Sequence, residues 1–147
     1  MPSLDNMLLR QIIMDHYENP RNHQLTKDTT YDLVNMDSET CVDNIEVQAK
    51  IVNNKIEDFR FTGEACAICT ASTSIMSELL IGKTIDEANT IIRNFYNMIY
   101  EKEYDADVIQ DAIAFMHTHK QANRIKCATL GWHGIEKLIA KAGEKDA

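Results

Sequence analysis

The side chains best suited to chemistry in this sequence are three cysteines and one aspartate, which lie in three separate segments: Cys41, Asp43, Cys66 and Cys127. Three soft thiolates and one hard carboxylate suit a tetrahedral zinc ion, so the four form a candidate mononuclear zinc site. A carboxylate holds zinc less covalently than a thiolate does, so such a site could exchange one ligand. These residue types therefore predict a metal site that handles thiolate chemistry.

Such a site carries excess negative charge and needs compensation from nearby donors. The N-terminus of a helix after Cys66 and the basic side chains of Arg124 and Lys126 beside Cys127 could supply it. A second interpretation stays open, because buried cysteine also behaves as a small hydrophobic residue. Spacing alone does not separate the two, since widely spaced cysteines lack the signature of paired Cys-x-x-Cys units.

Cys66 and Cys69 form one Cys-x-x-Cys motif just before a predicted helix. A helix N-terminus can activate the first thiol of such a motif, as in disulfide oxidoreductases. That interpretation expects a parallel βαβ context, whereas here the motif follows an antiparallel hairpin. We therefore predict that Cys69 is a packed thiol next to the metal site.

Length and charge restrict the class of protein. The chain has 147 residues, which predicts one domain over 1–147. Its net charge of −8 repels phosphate backbones and anionic lipid, so nucleic acid and membrane surfaces are not expected partners. The first residues resemble neither a secretory signal nor a membrane span, which predicts a cytoplasmic protein with reduced thiols.

The apolar periodicity predicts the order of elements. A helix starting near Leu4 ends before Asn19-Pro20, and a short strand lies around Tyr31 to Val34. Cys41 and Asp43 then fall on a loop. An alternating run from Ile45 to Ile51 and a second one with Phe59 and Phe61 predict an antiparallel hairpin that turns at Asn53-Asn54 and ends at Gly63.

Several helices follow the hairpin. The second helix runs from about Thr70 to a cap at Gly82, and a Thr84–Glu87 capping box opens the third. The fourth covers residues 108–116, and the last, covering residues 128–139, is expected to be interrupted at Gly131 and Gly134. This order predicts an α+β fold with a small antiparallel sheet packed against several helices. We expect solvated or capping roles for all five histidines, His16, His23, His117, His119 and His133.

Four segments resemble the U-type iron-sulfur cluster assembly proteins, the family of IscU scaffolds, the N-terminal part of NifU and the SufU proteins. They are Ile13–Asn22 (IMDHYENPRN), Thr40–Asp43 (TCVD), Phe61–Cys66 (FTGEAC) running into Ala71-Ser72, and Arg124–Leu130 (RIKCATL). The long segment between Cys66 and Cys127, and Lys126 where IscU scaffolds usually have histidine, resemble the SufU branch more closely.

The resemblance implies a zinc-dependent sulfur acceptor that receives a persulfide from a cysteine desulfurase and passes sulfur to a downstream iron-sulfur scaffold. In that role Cys41 is the mobile acceptor, while Asp43, Cys66 and Cys127 retain zinc. It also implies an α+β fold. The sequence departs from the family at Val42 and Ala65, where glycine is typical, and at Cys69, where serine is usual.

Two alternatives accompany this assignment. One is a scaffold that binds iron and a nascent cluster through its cysteine thiolates. The other is a divergent metal-binding relative without transfer activity. Iron as well as zinc binds such ligands, so the ligand types leave the metal open.

Overall fold

The chain begins with a helix, continues into three strands and ends in helices, in a computed structural model that describes residues 5–38 and 42–146. The strands are β1 (Asp32–Asp37), β2 (Asn44–Val52) and β3 (Lys55–Glu64). The helices are α1 (Asn6–Glu18), α2 (Ala67–Leu80), α3 (Ile85–Ile99), α4 (Ala106–Ile109) and α5 (Ala122–Asp146). The predicted α+β class is confirmed.

The three strands form an antiparallel sheet in the order β1-β2-β3. Asn53 and Asn54, with φ of 52° and 63°, make the tight turn of the β2–β3 hairpin, as the sequence predicted. Strand β3 continues through Gly63 to Glu64, one residue beyond the predicted end. Because side chains alternate between faces, Ile45 and Val47 reach the core with at most 1% of their surface exposed.

Helix α2 lies at the centre of the helical layer and packs against α1 and α5. It is buried along most of its length, while α5 also packs against β1 and β2. The Thr84–Glu87 capping box that starts α3 is present, with both reciprocal hydrogen bonds. The sheet, α2 and α5 therefore share the core that supports the candidate site.

The last helix, α5, is longer than predicted and has no interruption at its glycines. A Cβ at Gly131 would overlap the Thr73 side chain of α2, and one at Gly134 would come within 3.2 Å of both Val47 and Met36. These glycines permit close packing, so the expected break was wrong. Over residues 5–38 and 42–146, neither α5 nor any other helix has the length and apolar character needed to cross a membrane.

The predicted fourth helix is divided into shorter pieces. Helix α4 ends at Ile109, because the φ of 45° at the next residue, Gln110, lies outside the right-handed helical region. Two 3₁₀ segments, Gln110–Phe115 and Thr118–Lys120, lead from there to α5. Apolar spacing alone did not reveal this change of helix type.

Candidate metal centre

Asp43, Cys66 and Cys127 come together at one corner of the molecule. Asp43 lies on the loop before β2, Cys66 is the N-cap of α2, and Cys127 lies in α5. One potential ligand atom from each lies within 4.8 Å of the other two. Cys41, the fourth predicted ligand, lies outside the described residues. The structure thus brings together the three predicted ligands that it describes.

The Asp43 carboxylate is fully buried. Its Oδ1 accepts a 2.7 Å hydrogen bond from the backbone N–H of Cys66, and its Oδ2 lies 3.8 Å from Cys66 Sγ. Within residues 5–38 and 42–146, no basic side chain forms an ion pair with this carboxylate. A buried carboxylate is costly unless paired, so this position favours a cation.

Cys66 and the N-terminus of α2 supply the N–H donors that the site was expected to need. The Cys66 side chain accepts from the backbone N–H of Cys69 at 3.5 Å. The positive end of the helix dipole therefore faces the sulfur, where it would complement the negative charge of a metal-bound ligand set. Cys69 itself is fully buried and packed, as predicted.

Cys127 is 5% exposed, and its Sγ lies 3.5 Å from the Asn123 carbonyl oxygen. Its position depends on the packing of α5 against α2. There the Ser72 hydroxyl donates to the Ala128 carbonyl at 2.6 Å and accepts from Trp132 Nε1 at 3.0 Å. The helix pair that carries Cys66 and Cys127 is therefore fixed directly beneath the site.

The donor set fits a thiophilic divalent metal. Two cysteine sulfurs and a carboxylate oxygen are within reach of one another, and zinc accepts both types of ligand. The buried Asp43 carboxylate, which forms no ion pair with a basic side chain among the residues described, also favours a bound cation.

Comparison with known proteins agrees with this geometry. Residues 8–147 match the NifU-like N-terminal domain. The chain belongs to this family. It is 42% identical over 135 residues to the zinc-dependent sulfurtransferase SufU of Bacillus subtilis (strain 168), covering 91% of this chain and 90% of that protein. The resemblance proposed from the four sequence segments is confirmed.

Other relatives of this NifU-like domain carry scaffold names. It is 32% identical over 138 residues to the iron-sulfur cluster assembly scaffold protein IscU of Streptococcus pyogenes serotype M1, covering 93% of this chain and 86% of that protein. A similar crystal structure is that of a candidate iron-sulfur cluster assembly scaffold of the SUF system from the thermophile Fervidobacterium islandicum AW-1. It has a TM-score of 0.79 and 30% identity, covering 92% of this chain and 98% of that one.

A groove of about 590 Å³ leads to the sulfurs of the NifU-like domain. Residues from α1, α2, α5 and the preceding 3₁₀ region line it: Asn6, Leu9, Arg10, Ile13, Met14, Cys66, Ala67, Ile68, Ala114, His117, Arg124 and Cys127. None of them is acidic, although the chain carries a charge of −8. Arg10 and Arg124 form no ion pair within the part of the chain that the structure describes.

Sequence reasoning identified Arg124 but missed Arg10. The sequence did indicate that Arg10 shares a face of α1 with other groove residues, because Asn6, Arg10 and Met14 recur every four residues. Lys126 is exposed and does not line the groove.

Two of the residues at which this sequence differs from the family pattern, Val42 and Ala65, are next to the candidate ligands in the sequence. Val42, between Cys41 and Asp43, is 75% exposed. Ala65 is not among the non-glycine residues with positive φ, so alanine is accommodated before Cys66 without left-handed backbone strain.

His16 is buried, contrary to the expectation of a solvated or capping role. Its Nδ1 lies 2.8 Å from Ser74 Oγ, and its Nε2 lies 3.5 Å from a Glu78 carboxylate oxygen. Burial and the nearby Arg21 lower the pKa of His16, against the opposing effect of Glu78. A lone histidine in the sequence gave no signal for this contact between α1 and α2.

Proposed function

We propose that this NifU-like domain is a zinc-dependent sulfur acceptor in iron-sulfur cluster assembly, which receives persulfide sulfur from a cysteine desulfurase. The observation that carries the proposal is the approach of Asp43, Cys66 and Cys127 to within 4.8 Å from three distant segments. Its similarity to a zinc-dependent sulfurtransferase over 91% of the chain supports zinc and transfer.

Zinc would be held by Asp43, Cys66 and Cys127 together with Cys41. When bound, zinc keeps coordinating thiols deprotonated at neutral pH. The α2 N-terminus stabilises the negative charge on Cys66, and the Cys66 N–H orients the Asp43 carboxylate. Since Asp43 and Cys127 are buried, the protein shields this part of the site from water.

Cys41 is the residue we assign as sulfur acceptor. It adjoins Val42, which is 75% exposed, whereas Cys127 is only 5% exposed. In the transfer, the Cys41 thiolate attacks the terminal sulfur of the donor's protonated persulfide, and a new S–S bond forms on Cys41. The donor's S–S bond breaks, and its cysteine leaves as a thiolate. The exchange is balanced without an oxidant or reductant.

The groove beside the sulfurs is suited to the docking of the donor protein. Its apolar lining is flanked by Arg10 and Arg124, which form no ion pair among the described residues. Complementary charge speeds association and fixes orientation, so we expect acidic groups beside the desulfurase segment that carries the persulfide. After transfer, the sulfur would pass to a downstream iron-sulfur scaffold, and we place the reaction in the cytoplasm.

A coupled assay tests the proposal. A purified cysteine desulfurase is supplied with cysteine, with and without zinc-loaded protein, and persulfide on each cysteine is mapped by mass spectrometry. We expect faster desulfurase turnover and persulfide on Cys41. The Cys41→Ser variant should lose sulfur acceptance while retaining part of its zinc. Unchanged acceptance in that variant would eliminate the role of Cys41.

A cluster scaffold is the second candidate function, favoured by the 32% identity to an IscU scaffold protein. Metal analysis and an absorption spectrum separate the two. A colourless protein with stoichiometric zinc supports transfer, whereas a brown protein with iron and sulfide supports the scaffold. Zinc binding without stimulation of the desulfurase would indicate a metal-binding relative that has no transfer activity.

A further inference from the structure

Cys69 lies three residues after Cys66 but is not one of the three residues, Asp43, Cys66 and Cys127, whose potential ligand atoms come together. Cys66 is the N-cap of α2, and Cys69 follows three residues later in the first turn. The Cys66 sulfur already lies over that turn, 3.5 Å from the Cys69 backbone nitrogen. Residues three apart on a helix have Cβ atoms about 5–6 Å apart, whereas a disulfide needs Cβ atoms about 3.5–4.5 Å apart, so the start of the helix must shift to close the bond. Rotation of the side chains with a small shift of the helix start could therefore join the two sulfurs.

The two thiols differ in access. Cys66 is partly exposed and lines the groove, whereas Cys69 has no exposed surface. A solute that enters the groove therefore meets Cys66, whereas Cys69 does not line the groove and is covered by the protein. This arrangement is typical of a reactive cysteine with a resolving cysteine behind it.

We propose that Cys66 and Cys69 form a reversible disulfide that removes Cys66 from the metal ligands. With hydrogen peroxide as oxidant, Cys66 takes up one oxygen to become a sulfenic acid, and one water is released. The Cys69 thiol then attacks the Cys66 sulfur, the S–S bond forms, and the hydroxyl group leaves with a proton as a second water. The two thiols lose two electrons, which reduce the peroxide O–O bond. A dithiol restores both thiols by exchange.

Cys127 is the competing partner, because its sulfur also lies within 4.8 Å of a Cys66 ligand atom. A Cys66–Cys127 disulfide would have to fit the spacing of α5 and α2. That spacing is fixed where a Cβ at Gly131 would overlap the Thr73 side chain and where Ser72 bonds Ala128 and Trp132. Cys69 needs only local movement at the start of α2, so geometry favours it.

Metal binding and the disulfide exclude each other, since one Cys66 sulfur cannot serve both. This part of the inference rests on the proposed metal site. Zinc on Cys66 should protect the thiol from oxidation, and oxidation of metal-free protein should prevent reloading. The protein would then bind zinc and accept sulfur only under reducing conditions.

The test exposes zinc-loaded and metal-free protein to hydrogen peroxide and maps disulfides by mass spectrometry of unreduced peptides. We expect a Cys66–Cys69 disulfide in the metal-free protein, slower formation in the zinc-loaded protein, and loss of one zinc for each disulfide formed. Dithiothreitol should reverse both changes. A zinc indicator measures the released metal.

Cys69→Ser is the matched control, with Cys69→Ala as a second variant should the hydroxyl disturb the core. Both should bind zinc and accumulate sulfinic acid on Cys66 instead of a disulfide. A main product joining Cys66 to Cys127 or Cys41, or over-oxidised Cys66 with reduced Cys69 in the wild type, overturns the inference. If the protein binds no zinc, the proposed function fails, and the metal-free arm still reports whether the disulfide forms.

Discussion

Helix α2 buries polar groups in two regions that differ in how those groups are satisfied. In its middle, four hydroxyl side chains are at most 1% exposed: Ser72, Thr73, Ser74 and Ser77. Each has a partner inside the protein, such as the Ala128 carbonyl for Ser72 and the Cys69 carbonyl for Thr73. Ser72 links α2 to α5 and Ser74 links it to His16 of α1, while Thr73 and Ser77 donate to carbonyls of α2 itself, so these hydroxyls have no need of a ligand.

The first turn of α2 is different. There the buried Asp43 carboxylate accepts one backbone N–H and pairs with no basic side chain in the described chain, while two cysteine sulfurs lie close by. Polar groups satisfied internally build the fold, whereas groups that retain binding capacity create a site. The same helix thus provides a rigid middle and a reactive end, and four experiments test this division.

The largest effect is expected at the candidate metal centre, where Cys127 of α5 lies close to the first turn of α2. Cys127→Ser replaces a metal-binding thiolate with a hydroxyl that stays protonated at neutral pH, so the zinc affinity should fall by more than about 100-fold. This loss exceeds the one typical of residues that only hydrogen-bond to a metal ligand. Competition with a zinc indicator measures it. Ser72→Ala, in the middle of α2, should retain its zinc. Equal zinc loss in both variants would contradict the division of α2 into two regions.

Gly131→Ala tests the rigid middle through its contact with α5. The new Cβ would overlap the Thr73 side chain, so the free energy of unfolding should fall by up to about 3 kcal/mol. Gly143→Ala in the same helix is the control, because a Cβ there meets nothing within 4 Å, and it should gain up to about 1 kcal/mol. Urea unfolding of the metal-free proteins gives both values. Equal effects would show that the close packing at Gly131 is unimportant.

Ser72→Ala should have a smaller effect. It leaves the buried Trp132 Nε1 without its acceptor, and the free energy of unfolding should fall by about 1–2 kcal/mol. Combining it with Trp132→Phe in a double-mutant cycle isolates the hydrogen bond from the loss of ring packing. If the changes in the free energy of unfolding of the two single variants add up to the change in the double variant, this hydrogen bond does not stabilise the contact between α2 and α5.

The smallest effect concerns pH and the buried His16. Because burial lowers its pKa in the folded protein, the unfolded chain binds more protons below about pH 6.5, and stability should fall as the pH drops. The charged groups that influence it are Arg21, Glu78, Asp15 and Asp111. Above that pH its contribution is fully present.

His16→Gln supplies the comparison for this pH effect. Between neutral pH and pH 5.5, the urea midpoint of the wild type should fall by more than the urea midpoint of the variant. Identical slopes would show that His16 does not contribute to the pH dependence.

Much of the fold could be predicted from local patterns. Alternation located the hairpin, Asn53-Asn54 located its turn, and the Thr84–Glu87 pair marked the start of α3. These features depend on neighbouring residues, so the sequence displays them directly. The prediction of one domain over 1–147 stays a prediction.

Features that depend on distant neighbours were not predictable in the same way. Gly131 resembles a helix breaker in the sequence, and only the position of Thr73 across the interface explains it. His16 gave no pattern because its partner Ser74 is 58 residues away. The residue types suggested the candidate ligand set, and the resemblance to the family supported it. Distant contacts bring Asp43, Cys66 and Cys127 together, while the role of Cys41 stays a prediction.

Trp132 is the single tryptophan of the chain, and it stacks on Phe95 with ring centroids 3.9 Å apart and an angle of 4° between the planes. It belongs to α5, is fully buried, and donates a hydrogen bond from Nε1 to the hydroxyl of Ser72 in α2. Its fluorescence should therefore emit at short wavelength in the native state and shift to the red when this interface opens. Because zinc is spectroscopically silent, this one indole offers an optical signal of whether the support beneath the sulfurs survives when the metal leaves.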